Sequence, residues 1–141
     1  MRLVADIETD GFNPTTIHCL AALNADDTSQ RWVFGPDNIS DGIELLQSAS
    51  ELIFQNGIAF DIPAIQKLYP FFSTDGITVT DTLVLSRLIR ADLKNDDFIS
   101  APNLPKRLYG SHSLKAWGIR LGVHKGDFGE TTDWSTWSQE M

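Results

Sequence analysis

The sequence has a single cysteine, Cys19, among its 141 residues, so no disulfide can form within the chain. That suits a reducing, cytosolic compartment. Positive charge is also scarce. Eleven Lys and Arg face nineteen Asp and Glu, for a net charge of −8. A chain so acidic is poorly built to coat nucleic acid nonspecifically, because phosphate binding is driven by Lys and Arg. No apolar run approaches the roughly 18 residues that a membrane helix needs, so no membrane partner is expected. The start, Met1-Arg2-Leu3-Val4-Ala5-Asp6, lacks the apolar region and cleavage site of a secretory signal. The three histidines form no metal-binding pair at helical spacing, and no Gly-x-Ser-x-Gly, P-loop or Gly-x-Gly-x-x-Gly is present. Hydrolase-elbow and nucleotide-cradle chemistries are thereby disfavoured. There are no internal repeats or low-complexity tracts.

What is present can build a core. The chain is 42% hydrophobic and holds eight Phe, four Trp and two Tyr, enough for one domain over residues 1–141. Its acidity is uneven. Residues 1–66 carry ten acids against Arg2 and Arg31, whereas residues 67–141 balance nine acids with nine bases. Most such acids are ordinary solubility charge; some could instead form a metal site that meets phosphate through the ion.

Residues 2–8 read as a short apolar strand that ends at the Asp10-Gly11 turn. Residues 17–24 and 30–34 read as second and third strands. Their short connections predict an antiparallel meander. A helix is predicted from about Asp41 to Ala49, a fourth strand at Leu52–Phe54, and a helix over Phe60–Tyr69 with Pro63 in its first turn. A fifth strand is predicted at Gly76–Val79. Asp81 can cap a helix through Ile89. Residues 92–110 read as a loop. Ser111 is the expected N-cap of a helix from His112 to Leu121 with Leu114, Trp117 and Leu121 as its apolar stripe, stopped by Gly122. Residues 126–141 show no clear period. The order predicts an α/β fold: a mixed five-stranded sheet, three antiparallel strands and then parallel ones, flanked by helices in a ribonuclease-H-like architecture.

The informative acids are Asp6 and Glu8. Two apart on a strand, they point to one face. Two carboxylates side by side on a central strand repel each other, and burial raises the cost. A hard divalent cation such as Mg²⁺ or Mn²⁺ would neutralise them through oxygen ligands; the ordinary alternative is a solvated strand end. Asp61 follows the Phe54–Phe60 segment and opens a helix. It is either a first-turn acid suited to the helix dipole or a third metal-site carboxylate. Asn56 either orders this loop or contacts a phosphate. Cys19 has no activating context and is expected to pack as a small hydrophobe.

Asp6-Ile7-Glu8-Thr9-Asp10-Gly11 and Asn56-x-x-x-Phe60-Asp61 resemble the first two motifs of the DEDD 3′→5′ exonuclease superfamily. Thr80–Ile89 and Gly110–Gly122 resemble the exonuclease domain of bacteriophage family-A DNA polymerases, so the resemblance spans nearly the whole chain. It implies a proofreading module with a two-ion site. Asp6 would bridge both metals, Glu8 would bind the nucleophile-side ion, and Asp61 would hold the second. Thr9 and Phe12 would lie against the terminal nucleotide of a single-stranded DNA 3′ end, Phe60 would stack on a base, and Asp81 could support the site from behind. A third motif, Tyr-x-x-x-Asp, is absent, and Trp134–Met141 resembles the segment that runs into it. The chain therefore reads as stopping just short of that motif-carrying helix. The expected consequences are impaired activity, reliance on a polymerase domain or the rest of the chain, and self-association through an uncovered sheet face. Other readings are an RNA-trimming exonuclease, a catalytically incomplete nucleic-acid-binding or regulatory fragment of a split protein, and an acidic interaction domain.

Overall fold

The structure, a computed structural model, describes residues 1–123. The motif-related segment Trp134–Met141 lies outside the described residues. Two compact units divide the chain, one holding Met1–Thr82 and the other beginning at Leu83.

The first unit is a five-stranded sheet in the order β3-β2-β1-β4-β5. Strand β1 (Arg2–Thr9) buries Leu3, Ala5, Ile7 and Thr9, so Val4, Asp6 and Glu8 share the other face. Strand β2 (Ile17–Asn24) runs antiparallel to β1, with Asp6 opposite Ala21 and Glu8 opposite Cys19. Strand β3 (Arg31–Phe34) extends the meander, as expected from the short connections. Strand β4 (Glu51–Phe54) is parallel to β1 but pairs with it only over Arg2–Val4. Strand β5 (Thr78–Asp81) lies parallel to β4 at the edge. It starts two residues later than the sequence suggests. Gly76, at φ +78°, turns the chain, and the Ile77 amide closes that turn on the Thr74 carbonyl at 3.0 Å.

The inner face of the sheet is filled from helix α1 (Ile39–Gln47) and helix α2 (Asp61–Leu68). Ile39, Ile43 and Leu46 of α1 and Ile62 and Ile65 of α2 join Leu3, Leu20, Leu52 and Phe54 in one core. These positions recur at helical spacing, so one stripe of each helix is buried. Cys19 is buried as a free thiol, and desolvation with the nearby Glu8 charge pushes its pKa up to about 11. This suits its expected packing role. On the outer face Val33 and Val4 are exposed.

The second unit contains helix α3 from Leu83 onward (the helix spans Thr82–Ile89), helix α4 (Leu93–Ser100), a 3₁₀ turn at Lys106–Leu108 and helix α5 (Leu114–Leu121). Helix α4 corrects the expected loop at 92–110. It has little apolar periodicity because only Leu93 and Asp97 face inward. What fixes it is an ion pair: Asp97 accepts from Nε and Nη2 of Arg120, both at 2.7 Å, and from the Gly110 amide at 2.7 Å. The cap of α5 is Ser113, not Ser111; its Oγ accepts from the Ala116 amide at 3.3 Å. Ser111 instead holds Ser113, accepting its amide and donating to its hydroxyl. Gly122 ends α5 at φ +69°, as expected. The expected apolar stripe does not form, since Leu114 and Leu121 are exposed and Ala116 is the residue buried. Trp117 lies under the Arg120 guanidinium, 4.9 Å from ring centroid to Cζ, and donates its indole N–H to Ser86.

Candidate active site

The β1–β4 ladder stops at Val4 and Ile53, while β1 continues to Thr9. The carboxyl end of β1 is thus left without β4 beside it, and carboxyl ends of strands are where open α/β sheets bind ligands. Asp6 and Glu8 lie on that stretch, which pairs with β2 but not with β4, one exposed and the other half-buried. The backbone amide of Ile7, between them, has no β4 partner there. Asp61 takes that place: its Oδ1 accepts the Ile7 N–H at 3.3 Å. The third acid is thus fixed against the strand that carries the first two, across 54 residues of sequence.

Asp61 is 3% exposed. Desolvation first, then the charge of Asp6 and more weakly that of Glu8, pushes its pKa up to about 7, against the Ile7 hydrogen bond. The three carboxylates therefore sense one another. A donor set of carboxylate oxygens suits a hard dication, and a cation here would relieve the repulsion that raises Asp61. Among the described residues, however, no three His, Cys, Asp or Glu side chains converge closely enough to cage an ion. Asp61 spends one of its oxygens on the Ile7 amide.

The turn that delivers Asp61 is braced from behind. Asp81, at the end of β5, accepts the amides of Asn56 at 3.0 Å and Ile58 at 3.1 Å. Thr82 donates its hydroxyl to the Phe54 carbonyl at 3.0 Å and to the Gln55 side chain. Asn56 is exposed, with φ at +66°. At Gly57 a Cβ would stand 2.2 Å from the Phe54 side chain, so no larger residue fits without moving the turn. Asp81 thus holds the Asp61 turn, the supporting position that its sequence context left open.

Of the other expected residues, Thr9 ends β1, Phe12 lies on the loop after it and Phe60 caps α2. Phe12 is fully exposed and meets Phe60 edge-on, with centroids 6.4 Å apart. Thr9 is buried, and its hydroxyl donates to the Gly11 carbonyl at 3.0 Å, so it shapes the turn. Two residues of this loop's framework escaped the sequence reading. Asp10 accepts the amides of Thr15 at 2.8 Å and Thr16 at 3.1 Å, and the Thr15 hydroxyl. Those bonds, led by the Thr15 hydroxyl, lower its pKa to about 2. Lys67 of α2 donates to the Asn13 side chain at 2.8 Å and the Pro14 carbonyl at 2.7 Å. The signal was available: Lys67 is the sole Lys or Arg between Arg31 and Arg87.

A mixed sheet in the order β3-β2-β1-β4-β5, flanked by helices, with acids at the open end of its central strand, defines a ribonuclease-H-like fold. The zinc-bound complex of E. coli exonuclease I with single-stranded DNA shares this fold, with a TM-score of 0.64 and 16% identity over 87% of this chain and 35% of that one. The sequence points to a particular kind. It is 32% identical over 139 residues to the DNA-directed DNA polymerase of Escherichia phage T7 and 33% identical to that of Enterobacteria phage T3. Each match takes in 89% of this chain and 20% of the polymerase, so the chain spans about a fifth of the length of these relatives. No protein-family model matches it. The chain is thus similar in sequence to about a fifth of two phage DNA polymerases and shares its fold with E. coli exonuclease I.

Proposed function

We propose that this chain is the 3′→5′ proofreading exonuclease module of a phage-type DNA polymerase, a single domain that hydrolyses the terminal 3′ phosphodiester of single-stranded DNA. The observation that carries this reading is Asp61, a buried carboxyl fixed to β1 between Asp6 and Glu8 and held near a pKa of 7 by burial and their charge. Such an arrangement is costly for a fold and useful for binding dications.

In this reading Asp6, Glu8 and Asp61 would hold a pair of Mg²⁺ or Mn²⁺ ions, Asp6 contributing to both, Glu8 to the one serving the nucleophile and Asp61 to the other. When bound, such ions activate a water and stabilise the leaving 3′ oxygen. The chain's own residues set the substrate. Phe12 offers an exposed ring for the terminal base, and Phe60 stands edge-on behind it. A base stacked on such a ring contributes about 1–3 kcal/mol. Thr9, through Gly11, fixes the turn before Phe12, and Asn56 faces solvent where a phosphate can reach it. The single-stranded DNA held by E. coli exonuclease I supports the choice of substrate. The partner is the rest of the polymerase, in the host cytoplasm; the exposed Val4 and Val33 on the outer sheet face offer a surface for self-association. Among the described residues no helix is long and apolar enough to cross a membrane.

Calorimetric titration with Mn²⁺ tests the site. The chain should bind the ion, and Asp6→Ala should weaken binding by at least about tenfold. A 5′-labelled duplex with a 3′ tail should shorten from its 3′ end only slowly in Mg²⁺, in keeping with the absent Tyr-x-x-x-Asp motif, and not at all with Asp6→Ala. Unchanged Mn²⁺ affinity in Asp6→Ala would end this reading.

A further inference from the structure

The two units differ in charge far more than the whole chain suggests. Met1–Thr82 holds twelve acids and three bases, whereas residues 83–123 hold seven bases and three acids. Two of those three acids are already spent: Asp97 on Arg120, and Asp96 on Arg90 at 2.8 Å. Arg87, Lys94, Lys106 and Arg107 are all exposed. No ion pair among the described residues engages any of the four.

These cations are gathered around one short segment. The turn through Lys106–Leu108 is closed by the Tyr109 amide on the Lys106 carbonyl at 3.2 Å and the Ser111 amide on the Leu108 carbonyl at 2.9 Å. It is pinned to α4 through the Gly110 amide on Asp97. A Cβ on Gly110 would fall 3.0 Å from that of Lys94, so turn and helix touch at Lys94. On the other side His112 Nδ1 is 2.7 Å from the Ser86 hydroxyl, which places Arg87 beside the same segment. Phe98, one helical turn beyond Lys94 and on the same side of α4, is 80% exposed.

We infer that Arg87, Lys94, Lys106, Arg107 and Phe98 form a binding surface for single-stranded nucleic acid, the cations meeting backbone phosphates and Phe98 stacking on a base. Cations that track a backbone, with an interleaved aromatic, are the combination that single strands select. An otherwise acidic chain has no comparable concentration of bases elsewhere among its described residues. The inference extends the proposed function, since it gives the nuclease a second hold on its substrate that does not use the carboxylates.

Fluorescence anisotropy of a labelled oligothymidylate about 16 nucleotides long, with the whole chain in EDTA, isolates this surface from any ion at Asp6, Glu8 and Asp61. Four phosphate contacts give a log–log salt slope of about −3. The combined Arg87→Glu, Lys94→Glu, Lys106→Glu and Arg107→Glu variant should bind at least about a hundredfold more weakly with a flattened slope. Phe98→Ala should cost about tenfold. The four-site variant carrying only Lys→Arg and Arg→Lys exchanges should bind as wild type, while unchanged melting curves show that each variant folds. If the charge-reversed variant binds like wild type, or the wild-type chain does not bind at all, the surface belongs to a protein partner and the inference is overturned. Failure of the nuclease reading is seen separately, as Mn²⁺ binding that survives Asp6→Ala.

Discussion

Asp61 and Asp97 are both buried to 3% exposure, one in each unit, and they are opposites. Asp97 is held by Arg120 through two bonds and by the Gly110 amide, and the Arg120 hydrogen bonds keep its pKa below the ordinary carboxylate value. Asp61 has the Ile7 amide and, beyond it, the like charges of Asp6 and Glu8, and its pKa rises to about 7. The first carboxylate is neutralised by the fold. The second is left for something else to neutralise. That contrast separates a structural buried acid from one kept for function, and it is sharper than any difference in burial.

The largest effect expected from breaking the contrast is at Asp97. Asp97→Ala leaves the Arg120 guanidinium buried without its partner and should cost about 3–5 kcal/mol in urea unfolding. A loss under about 1 kcal/mol would show that the pair behaves like a surface bridge.

Asp61→Asn should act in the other direction. In EDTA near pH 8 the wild type holds this carboxylate ionised at a cost, and Asn retains an acceptor for the Ile7 amide, so the variant should gain about 2 kcal/mol while losing Mn²⁺ affinity. The pH dependence follows from the sign. The Asp61 pKa is raised on folding, so its contribution to stability is full below about pH 4 and is lost as pH rises toward about 7. The Asp97 pKa is lowered, so its contribution is present above the unfolded value near 4 and is lost as pH falls below it. Thermal melts across this range should show a decline toward neutrality that Asp61→Asn abolishes and an acid loss that it leaves intact. A decline that persists in Asp61→Asn would assign the effect to another group.

The smallest effect should come from Asp81, which is buried like the other two but bonded to amides. Asp81→Ala strands the Asn56 and Ile58 N–H groups and should cost about 1–2 kcal/mol. Hydrogen exchange should speed up at those two amides before the rest of the sheet. Uniform acceleration would mean that the turn is not held locally.

The parts of this fold that could be read in advance were those written in local pattern. A short apolar run ending at the Asp10-Gly11 turn marked β1, and the cost of adjacent carboxylates marked Asp6 and Glu8 on it. Helix α4 could not be read that way, because its inward side is one leucine and one aspartate whose partner, Arg120, lies 23 residues along the chain. Strand β5 was misplaced because the turn at Gly76 takes two residues that look like strand. The meeting of Asp61 with Ile7 was legible only as a resemblance between motifs. The missing pairing of β1 with β4, which makes room for it, is a property of the assembled sheet.

Gly57 carries a genetic consequence. It stands at the start of the turn that delivers Asp61, where even a methyl group would collide with the Phe54 side chain. A residue with no side chain and no chemistry would therefore score as indispensable in a screen for lost activity, alongside the acids. Its intolerance would record the thickness of a carbon atom, and catalogues of essential positions in such a domain will mix reagents with spacers.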